Sequence, residues 1–227
     1  MTQAVMIFAA GFGTRMGELT RDRPKPMIPV AGKMLIDHAI DLAAEAGITR
    51  VVANTHYLAD QLHSHLAPKG VLISHEDPDI LDTGGGLRAA LPLLDTETVF
   101  TLNPDVLWLG PNPLTLLRTA WDPDQMDGLL MCVPLGRTHG RQGAGDFGID
   151  ETGHVIRGGD LVYGGAQILK TQGLKDIPQA AFSLNLLWDQ MNAAGRLHLA
   201  SYPGAWCDVG TPQGIPLAEA LLENGHV

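Results

Sequence analysis

An apolar segment followed at once by a glycine-rich turn constrains this chain most. Residues 4–8 read Ala-Val-Met-Ile-Phe, which is typical of a strand buried on both faces. The turn that follows contains Gly11 and Gly13. Because glycine has no Cβ, its backbone N–H groups can approach an anionic ligand closely. Arg15 and Lys25 add two positive charges to the same region, so the sequence predicts a phosphate site directly after a first buried strand.

Two other glycine-rich loops fit the sequence poorly. The P-loop needs the pattern GxxxxGK followed by Ser or Thr, and no glycine precedes a lysine in that frame. The dinucleotide fingerprint needs a third glycine or alanine where Met16 stands, so Gly17 leaves only a GxGxxxG variant. An acidic residue should also end the second strand, which instead ends at Asn54. An NAD(P)-binding oxidoreductase stays open as an alternative because the variant pattern permits it.

Composition favours a globular, acidic protein. The chain has 227 residues, of which 45% are hydrophobic, and a formal net charge of -10; we expect residues 1–227 to form a single domain. The negative charge argues against nucleic acid or anionic membranes as partners, because these require a basic face. Neither a signal peptide nor a long apolar segment is visible, so we expect a cytoplasmic protein. Cys132 and Cys207 lack metal-like spacing and are expected to be buried free thiols.

Strand-like and helix-like segments alternate along most of the chain. Strands are predicted at 4–8, 50–54, 71–75, 98–103, 128–134, 162–169 and 197–202, and helices at 34–46, 58–67, 84–94, 113–121, 183–194 and 212–223. The strands are mostly continuous runs of Val, Ile and Leu, as expected where helices cover both faces of a sheet. The pattern predicts an α/β fold: a Rossmann-like three-layer α/β/α sandwich with a mixed, mostly parallel central sheet. Closely spaced glycines between 135 and 165 predict a mobile loop and a small β excursion over the substrate cleft.

The segment Gly11–Pro26 reads GxGTRM and then PKP, and it resembles the signature of the sugar-1-phosphate nucleotidylyltransferases. Three later segments resemble the same family: Leu81–Leu87 (LDTGGGL), Tyr163–Gln167 (YGGAQ) and Trp206–Pro212 (WCDVGTP). The resemblance implies a single nucleotidyltransferase domain that joins a nucleoside triphosphate to a sugar 1-phosphate and releases pyrophosphate. Such chemistry depends on positioning and charge neutralisation more than on covalent help from the protein.

On this resemblance the triphosphate binds the glycine-rich loop, and the base binds the segment that contains three glycines in a row. The predicted nucleotide-binding residues are Ala10, Gly11, Gly13, Thr14, Arg15, Asn54, Thr83, Gly84 and Gly85. Arg15 and Lys25 are the predicted catalytic residues, because they can neutralise phosphate charge. Consecutive glycines are costly in conformational entropy, and we interpret Gly84 and Gly85 as letting a planar base approach the backbone.

Asp105 and Asp208 are the predicted ligands of Mg²⁺, a cation that prefers oxygen donors. Asp105 follows a central strand, and ligands of open α/β sheets bind at the carboxyl ends of strands. The family usually has a glycine in this turn, whereas this chain has Asn103-Pro104-Asp105; proline fixes φ, so a different turn is expected. Asp208 matches the family's other metal ligand. Thr211 is predicted to cap the last helix, with Pro212 as its first residue.

The sugar side is predicted from the resemblance alone. Gly165 lies in the strand that backs the hexose in the family, and Asn185 on the following helix is expected to face the same cleft. Asp146 stands where the family often has asparagine. A carboxylate accepts hydrogen bonds but cannot donate two, so we expect an altered choice of sugar.

The length of the chain resembles that of the compact members that use UTP and N-acetylmuramate 1-phosphate in cell-wall recycling. Mannose-1-phosphate guanylyltransferases are the alternative within the family. Outside it, a catalytically silent nucleotide-binding regulator stays open beside the NAD(P)-binding oxidoreductase. The lactyl carboxylate of N-acetylmuramate requires a cationic partner, for which Arg137, Arg141 and Arg157 are candidates. We expect a monomer or a small homo-oligomer.

Overall fold

A computed structural model describes residues 3–224, and within them every predicted strand and helix is present with bounds shifted by at most two residues. The strands are β1 (Ala4–Phe8), β2 (Pro29–Val30), β3 (Lys33–Met34), β4 (Arg50–Thr55), β5 (Leu72–His75), β6 (Thr98–Leu102), β7 (Val106–Leu109), β8 (Gly128–Pro134), β9 (Thr138–His139), β10 (Phe147–Ile149), β11 (Val155–Arg157), β12 (Leu161–Lys170), β13 (Leu197–Ser201) and β14 (Ala205–Asp208). The helices are α1 (Leu35–Glu45), α2 (Ala59–Leu66), α3 (Asp82–Leu94), α4 (Pro113–Ala120), α5 (Asn185–Ala193) and α6 (Gly214–Glu223).

The central sheet is mixed. Strands β5, β4, β1 and β6 are parallel neighbours in that order. Strand β12 enters antiparallel between β6 and β8, and β13 pairs parallel with β8 at the far edge. The carboxyl ends of β1, β4, β5 and β6 therefore lie along one edge, which is where an open α/β sheet binds its ligands.

Helices cover both faces of this sheet. Alternate residues of β1 point to opposite faces: Val5 and Ile7 pack with buried residues of α1, α2 and α4, whereas Ala4 and Met6 pack with those of α3 and α5. This arrangement is the predicted three-layer sandwich. The fold prediction is thus confirmed, and Cys132 and Cys207 are both free and buried.

A second, small sheet was not predicted. Strands β7 and β14 pair antiparallel, and β9 adds to β14 on its other side. With four residues or fewer, these strands are too short to show a clear periodicity in the sequence. They matter for the site because β7 begins directly after Asp105 and β14 ends at Asp208.

The last helix begins later than predicted. Helix α6 starts at Gly214, and no side chain caps it. Thr211 and Pro212 instead form a tight turn, in which Gly214 N donates to the Thr211 carbonyl oxygen at 3.0 Å. A Cβ on Gly214 would lie 2.5 Å from the Asp208 carbonyl oxygen. The chain therefore folds back on Asp208 before the helix can begin.

The glycine-rich segment after β8 forms the predicted β excursion. Strands β10 and β11 pair antiparallel, and Phe147 of β10 pairs with Leu161 at the start of β12. Within residues 3–224, we find no helix with the length and apolar character needed to span a bilayer.

Candidate active site

The glycine-rich loop after β1 forms one side of the site. Gly13 has a φ of 65°, and a Cβ there would lie 2.8 Å from the Cβ of Lys25, so a larger residue would be strained. Thr20 Oγ1 donates to the Gly13 carbonyl oxygen at 3.1 Å and fixes the turn. A Cβ on Gly11 would meet no atom within 4 Å. Open space therefore lies beside the backbone at Gly11, as a ligand-binding loop requires.

A cavity of about 320 Å³ opens at this edge of the sheet. It brings together most of the residues predicted for the nucleotide and its phosphates. Those that line it are Ala10, Gly11, Gly13, Thr14, Arg15, Lys25, Asn54, Thr83 and Asp105. The structure thus gathers residues from distant segments of the chain, while their contacts with a ligand stay predictions.

Lys25 and Asp105 form an ion pair within this cavity. Lys25 Nζ donates to Asp105 Oδ2 at 2.5 Å, and the side chains are 11% and 26% exposed. A partly buried ion pair is held by both Coulomb attraction and a charge-assisted hydrogen bond. Lys25 is therefore fixed beside the carboxylate, where it can also reach a phosphate oxygen in the cavity.

The two predicted metal ligands converge although they lie in distant parts of the sequence. Val209 N donates to the Asp105 carbonyl oxygen at 2.9 Å, and Asp208 pairs with Val106 in the small sheet. The Arg15 side chain lies beside Asp208. A Cβ built on Gly210 would be 2.8 Å from Arg15 Nη1 and 2.6 Å from Asp208 Oδ1. Glycine at position 210 thus lets a guanidinium and a carboxylate lie against the backbone.

The electrostatics of Asp208 follow from this geometry. Burial raises the pKa of the Asp208 carboxyl, and the neighbouring Asp105 carboxylate raises it further. Arg15 and Lys25 act in the opposite direction, as does a hydrogen bond from the backbone of Gly210. The net shift in the pKa is upward, because burial and the adjacent carboxylate outweigh the two cations and the hydrogen bond.

This donor set fits Mg²⁺. The ion commonly uses one or two carboxylates and completes its octahedral shell with water and substrate phosphates. Among residues 3–224 there is no cluster of three or more His, Cys, Asp or Glu side chains suited to a metal, so a closed zinc-type site is not formed there. The neighbouring Cys207 is buried, and burial raises the pKa of its thiol to about 12.

Gly84 and Gly85, which we interpreted as contacts of the base, have a packing role in the structure. A Cβ on Gly84 would lie 2.3 Å from the Phe182 ring, and one on Gly85 would lie 2.5 Å from the Ala180 carbonyl oxygen. Both glycines are buried and lie outside the cavity lining, whereas Asp82 and Thr83 line it. The space that a Cβ would occupy at each glycine is already filled by protein atoms. A contact of Gly84 or Gly85 with a base stays a prediction.

Asn54 lines the cavity, but its side chain already has two protein partners. Its Oδ1 accepts from Ala9 N, and its Nδ2 donates to Glu76 Oε1, both at 2.7 Å. Glu76 lines the cavity as well and was missed by the sequence analysis. A signal was available, because an acidic residue directly after a predicted strand at this edge is well placed for function.

The predicted sugar-side residues are engaged by protein groups and do not line the cavity. Both Asp146 oxygens are used, one by Arg141 at 2.6 Å and the other by Tyr163 N at 2.9 Å. Asn185 is exposed, and its Oδ1 accepts from Arg157 Nη1 at 3.0 Å. Any contact of Asp146 or Asn185 with a sugar stays a prediction, and it would require each side chain to give up or share these protein partners.

Gly165 is the sugar-side residue nearest the cavity wall. It has a φ of 88° and lies in a bulge of β12, where a Cβ would be 2.8 Å from the Asn103 side chain. Asn103 lines the cavity, and its backbone N–H donates to the Gly165 carbonyl oxygen at 2.8 Å. Gly165 thus supports the turn before Asp105.

The three arginine candidates for a substrate carboxylate also have protein partners. Arg137 donates to the Pro203 carbonyl oxygen. Arg157 donates to Asp189 at 2.7 Å and stacks over the Phe147 ring, with 4.9 Å between its Cζ and the centroid. Arg141 pairs with Asp146, and its buried Nε has no hydrogen-bond partner among the described residues. Of the three, Arg141 alone keeps a buried donor unused within residues 3–224.

Known proteins resemble this chain along nearly its whole length. The family model of the MobA-like NTP transferase domain matches residues 5–157. N-acetylmuramate alpha-1-phosphate uridylyltransferase of Caulobacter vibrioides is 39% identical over 98% of this chain and 99% of its own. The protein of that name from Neisseria meningitidis is 31% identical over 95% of this chain and 96% of its own. The catalytic subunit beta of mannose-1-phosphate guanylyltransferase of Dictyostelium discoideum is 26% identical over 96% of this chain and 64% of its own.

Solved structures share the fold of this chain. HddC from Yersinia pseudotuberculosis, in its complex with GMP-PN, superposes with a TM-score of 0.77 at 22% identity and covers 96% of this chain. The share covered of the HddC chain is 99%. The chain belongs to the MobA-like NTP transferase domain family. Within it, the chain is a nucleotidylyltransferase of the sugar-1-phosphate class, as the motifs predicted.

Proposed function

We propose that the protein transfers the uridylyl group of UTP to N-acetylmuramate 1-phosphate, with Mg²⁺ as its cofactor, in the cytoplasmic recycling of cell-wall sugars. The observation that carries the proposal is the proximity of Asp105 and Asp208 to Arg15 and Lys25 at the carboxyl edge of the sheet. Asp208 does not itself line the cavity but lies against Gly210, which does. Two carboxylates and two cations in this arrangement suit a triphosphate that arrives with a divalent cation.

The reaction requires in-line attack by an oxygen of the sugar phosphate on the α-phosphorus, with pyrophosphate as the leaving group. Mg²⁺ held by Asp105 and Asp208 would neutralise charge on the phosphate oxygens. Lys25 and Arg15 hold further positive charge at the cavity wall, so the oxygens of the leaving pyrophosphate have fixed partners. The glycine-rich loop positions the phosphates through its backbone N–H groups.

The choice of substrates is supported by the relatives. The two uridylyltransferases from Caulobacter and Neisseria are the more similar of the three, and their lengths match this chain. The mannose-1-phosphate guanylyltransferase is 26% identical, and this chain covers 64% of it. Transfer of guanylyl to mannose 1-phosphate is therefore the second candidate. No observation favours the NAD(P)-dependent or the catalytically silent alternative.

The experiment that tests the proposal crosses nucleotides with sugars. UTP, GTP, CTP and dTTP are each combined with N-acetylmuramate 1-phosphate, mannose 1-phosphate and glucose 1-phosphate, and pyrophosphate release is followed with Mg²⁺ and with EDTA. We expect the highest kcat/KM for UTP with N-acetylmuramate 1-phosphate and no release in EDTA. A higher kcat/KM for GTP with mannose 1-phosphate would favour the second candidate. Undiminished release in EDTA would remove the metal from the proposal.

A further inference from the structure

Two buried polar side chains tie the phosphate loop to the base segment, which is defined here as residues 81–83. Asn54 is 3% exposed and Glu76 is 1% exposed. Asn54 Oδ1 accepts from Ala9 N at 2.7 Å, and Asn54 Nδ2 donates to Glu76 Oε1 at 2.7 Å. Glu76 Oε2 accepts from Leu81 N at 2.7 Å. An unbroken chain of hydrogen bonds thus runs from the end of β1 to the start of the base segment.

The chemistry of the donors fixes the direction of this chain. A backbone N–H can only donate, so Ala9 N requires the carbonyl oxygen of Asn54 to face it. The Asn54 amide group then faces Glu76, whose two oxygens accept one bond each. In each of the three hydrogen bonds a donor therefore faces an acceptor.

The backbone of α3 packs closely against one side of the pair. A Cβ on Gly86 would lie 2.5 Å from Glu76 Oε1 and 2.8 Å from Asn54 Nδ2. Glycine at this position therefore lets the backbone of α3 lie directly against the pair. This accounts for the third glycine of the run, which no predicted ligand contact had explained.

We propose that Asn54 and Glu76 form a clamp that sets the spacing between the phosphate loop and the base segment, which makes Glu76 a positioning residue for the nucleoside triphosphate. The side chains of Asn54 and Glu76 connect the phosphate loop to the base segment, in addition to the pairing of β1, β4 and β5 in the sheet. A triphosphate whose phosphates lie on the loop and whose base lies on residues 81–83 needs these two surfaces at one distance. Loss of the clamp changes that distance without removing a catalytic group.

A swap of the two functional groups tests the clamp. In Glu76→Gln, one of the two accepting oxygens becomes an NH2 group, which can only donate. This group faces either the Asn54 amide nitrogen or Leu81 N, both of which are donors, so one hydrogen bond is lost. Asn54→Asp places two carboxylates against each other. In the double variant, the carboxylate now at position 54 accepts from Ala9 N and from the amide now at position 76, whose oxygen accepts from Leu81 N. All three hydrogen bonds and the net charge return, and only the position of the charge differs.

The measurement is equilibrium binding of UTP with Mg²⁺, together with KM for each substrate. We expect Glu76→Gln to weaken UTP binding about tenfold, as loss of one buried hydrogen bond implies, and to leave KM for the sugar 1-phosphate within about twofold. The double variant should return to within about threefold of the parent. A double variant as weak as Glu76→Gln would overturn the proposal, because Glu76 would then act through its own charge.

The clamp rests on the proposed binding of a nucleoside triphosphate, but its test does not depend on which triphosphate the protein uses. If the parent protein binds GTP in place of UTP, the proposed function changes, and the same cycle is run with GTP. If Asn54→Asp does not fold, the double variant must still fold and bind nucleotide, and its failure to do so counts against the clamp. Glu151→Gln, at an exposed glutamate outside the cavity lining, serves as the matched control and should leave UTP binding unchanged.

Discussion

The nucleotide side and the sugar side of the cleft differ in what their predicted residues contact. On the nucleotide side, Arg15, Lys25 and Asp105 line the cavity, so the paired charges of Lys25 and Asp105 are still at its wall. On the sugar side, Asp146 and Asn185 are occupied by protein partners. The first region presents charge to a ligand, whereas the second uses its polar groups to hold its own shape.

The difference follows from how each region is supported. The nucleotide loop begins at the end of β1, most of whose residues are fully buried within the central sheet, so its charged groups need not stabilise the fold. The excursion has strands of only three residues each, β10 and β11, and one large apolar side chain of each, Ile149 and Ile156, is exposed. Its shape depends on the bonds of Asp146 and on Arg157, which stacks on Phe147. We therefore expect substitutions on the two sides to have different consequences.

The largest effect is expected for Asp105→Asn. This change keeps the shape of the side chain and removes a negative charge from the proposed metal site. We expect kcat for pyrophosphate release to fall about 10³-fold, which corresponds to several kcal/mol of lost transition-state stabilisation. The midpoint of thermal unfolding should fall, because the ion pair with Lys25 is weakened, while the variant stays folded at the assay temperature. Asp176→Asn, at an exposed position outside the cavity lining, is the control and should keep full activity.

Lys25→Met is expected to come next. Lys25 is buried against Asp105, and its loss removes one of the two cations at the phosphates. We expect kcat/KM for the triphosphate to fall about 10²-fold. Lys69→Met removes an exposed ion pair with Asp37 and should leave kcat/KM within about twofold. Equal losses for the two lysines would contradict the assignment of Lys25 to the site.

The contrast between the two sides also separates what the sequence could predict from what it could not. Long apolar strands and the helices between them were predicted because burial on both faces leaves a continuous apolar pattern. The contacts of Asp146 and of Gly84 were not predicted, because they depend on partners distant in sequence, namely Tyr163 and Phe182. The small sheet that joins Asp105 to Asp208 consists of strands too short to leave a pattern. The resemblance supplied the pair of aspartates, and only the structure explains why they meet.

A pair of glycine substitutions distinguishes a ligand contact from packing. A Cβ on Gly11 meets no atom within 4 Å, so for Gly11→Ala we expect normal stability and a rise of about tenfold in KM for the triphosphate, as one lost hydrogen bond to the loop implies. Gly84→Ala would press a methyl group against the Phe182 ring, and we expect a loss of about 2 kcal/mol in the free energy of unfolding. Urea unfolding and steady-state kinetics on both variants provide the two measurements.

The opposite outcome would remove the distinction between the two glycines. A stable Gly84→Ala variant with a raised KM would return Gly84 to the base site that the resemblance implied. An unstable Gly11→Ala variant would show that the loop has no open space beside it.

The smallest effect is expected for Asp146→Asn. Its carboxylate accepts from Arg141 and from Tyr163 N, and the side chain is 34% exposed. Asparagine keeps one acceptor and loses the charge, so we expect the free energy of unfolding to fall by about 1 kcal/mol, a value reduced by solvent screening. Because the carboxylate is already occupied, KM for the sugar 1-phosphate should stay within about threefold. Asp189→Asn, which breaks a more exposed pair with Arg157, should destabilise less. A large rise in the sugar KM at unchanged stability would show instead that Asp146 leaves Arg141 to bind the sugar, and the two sides of the cleft would then act alike.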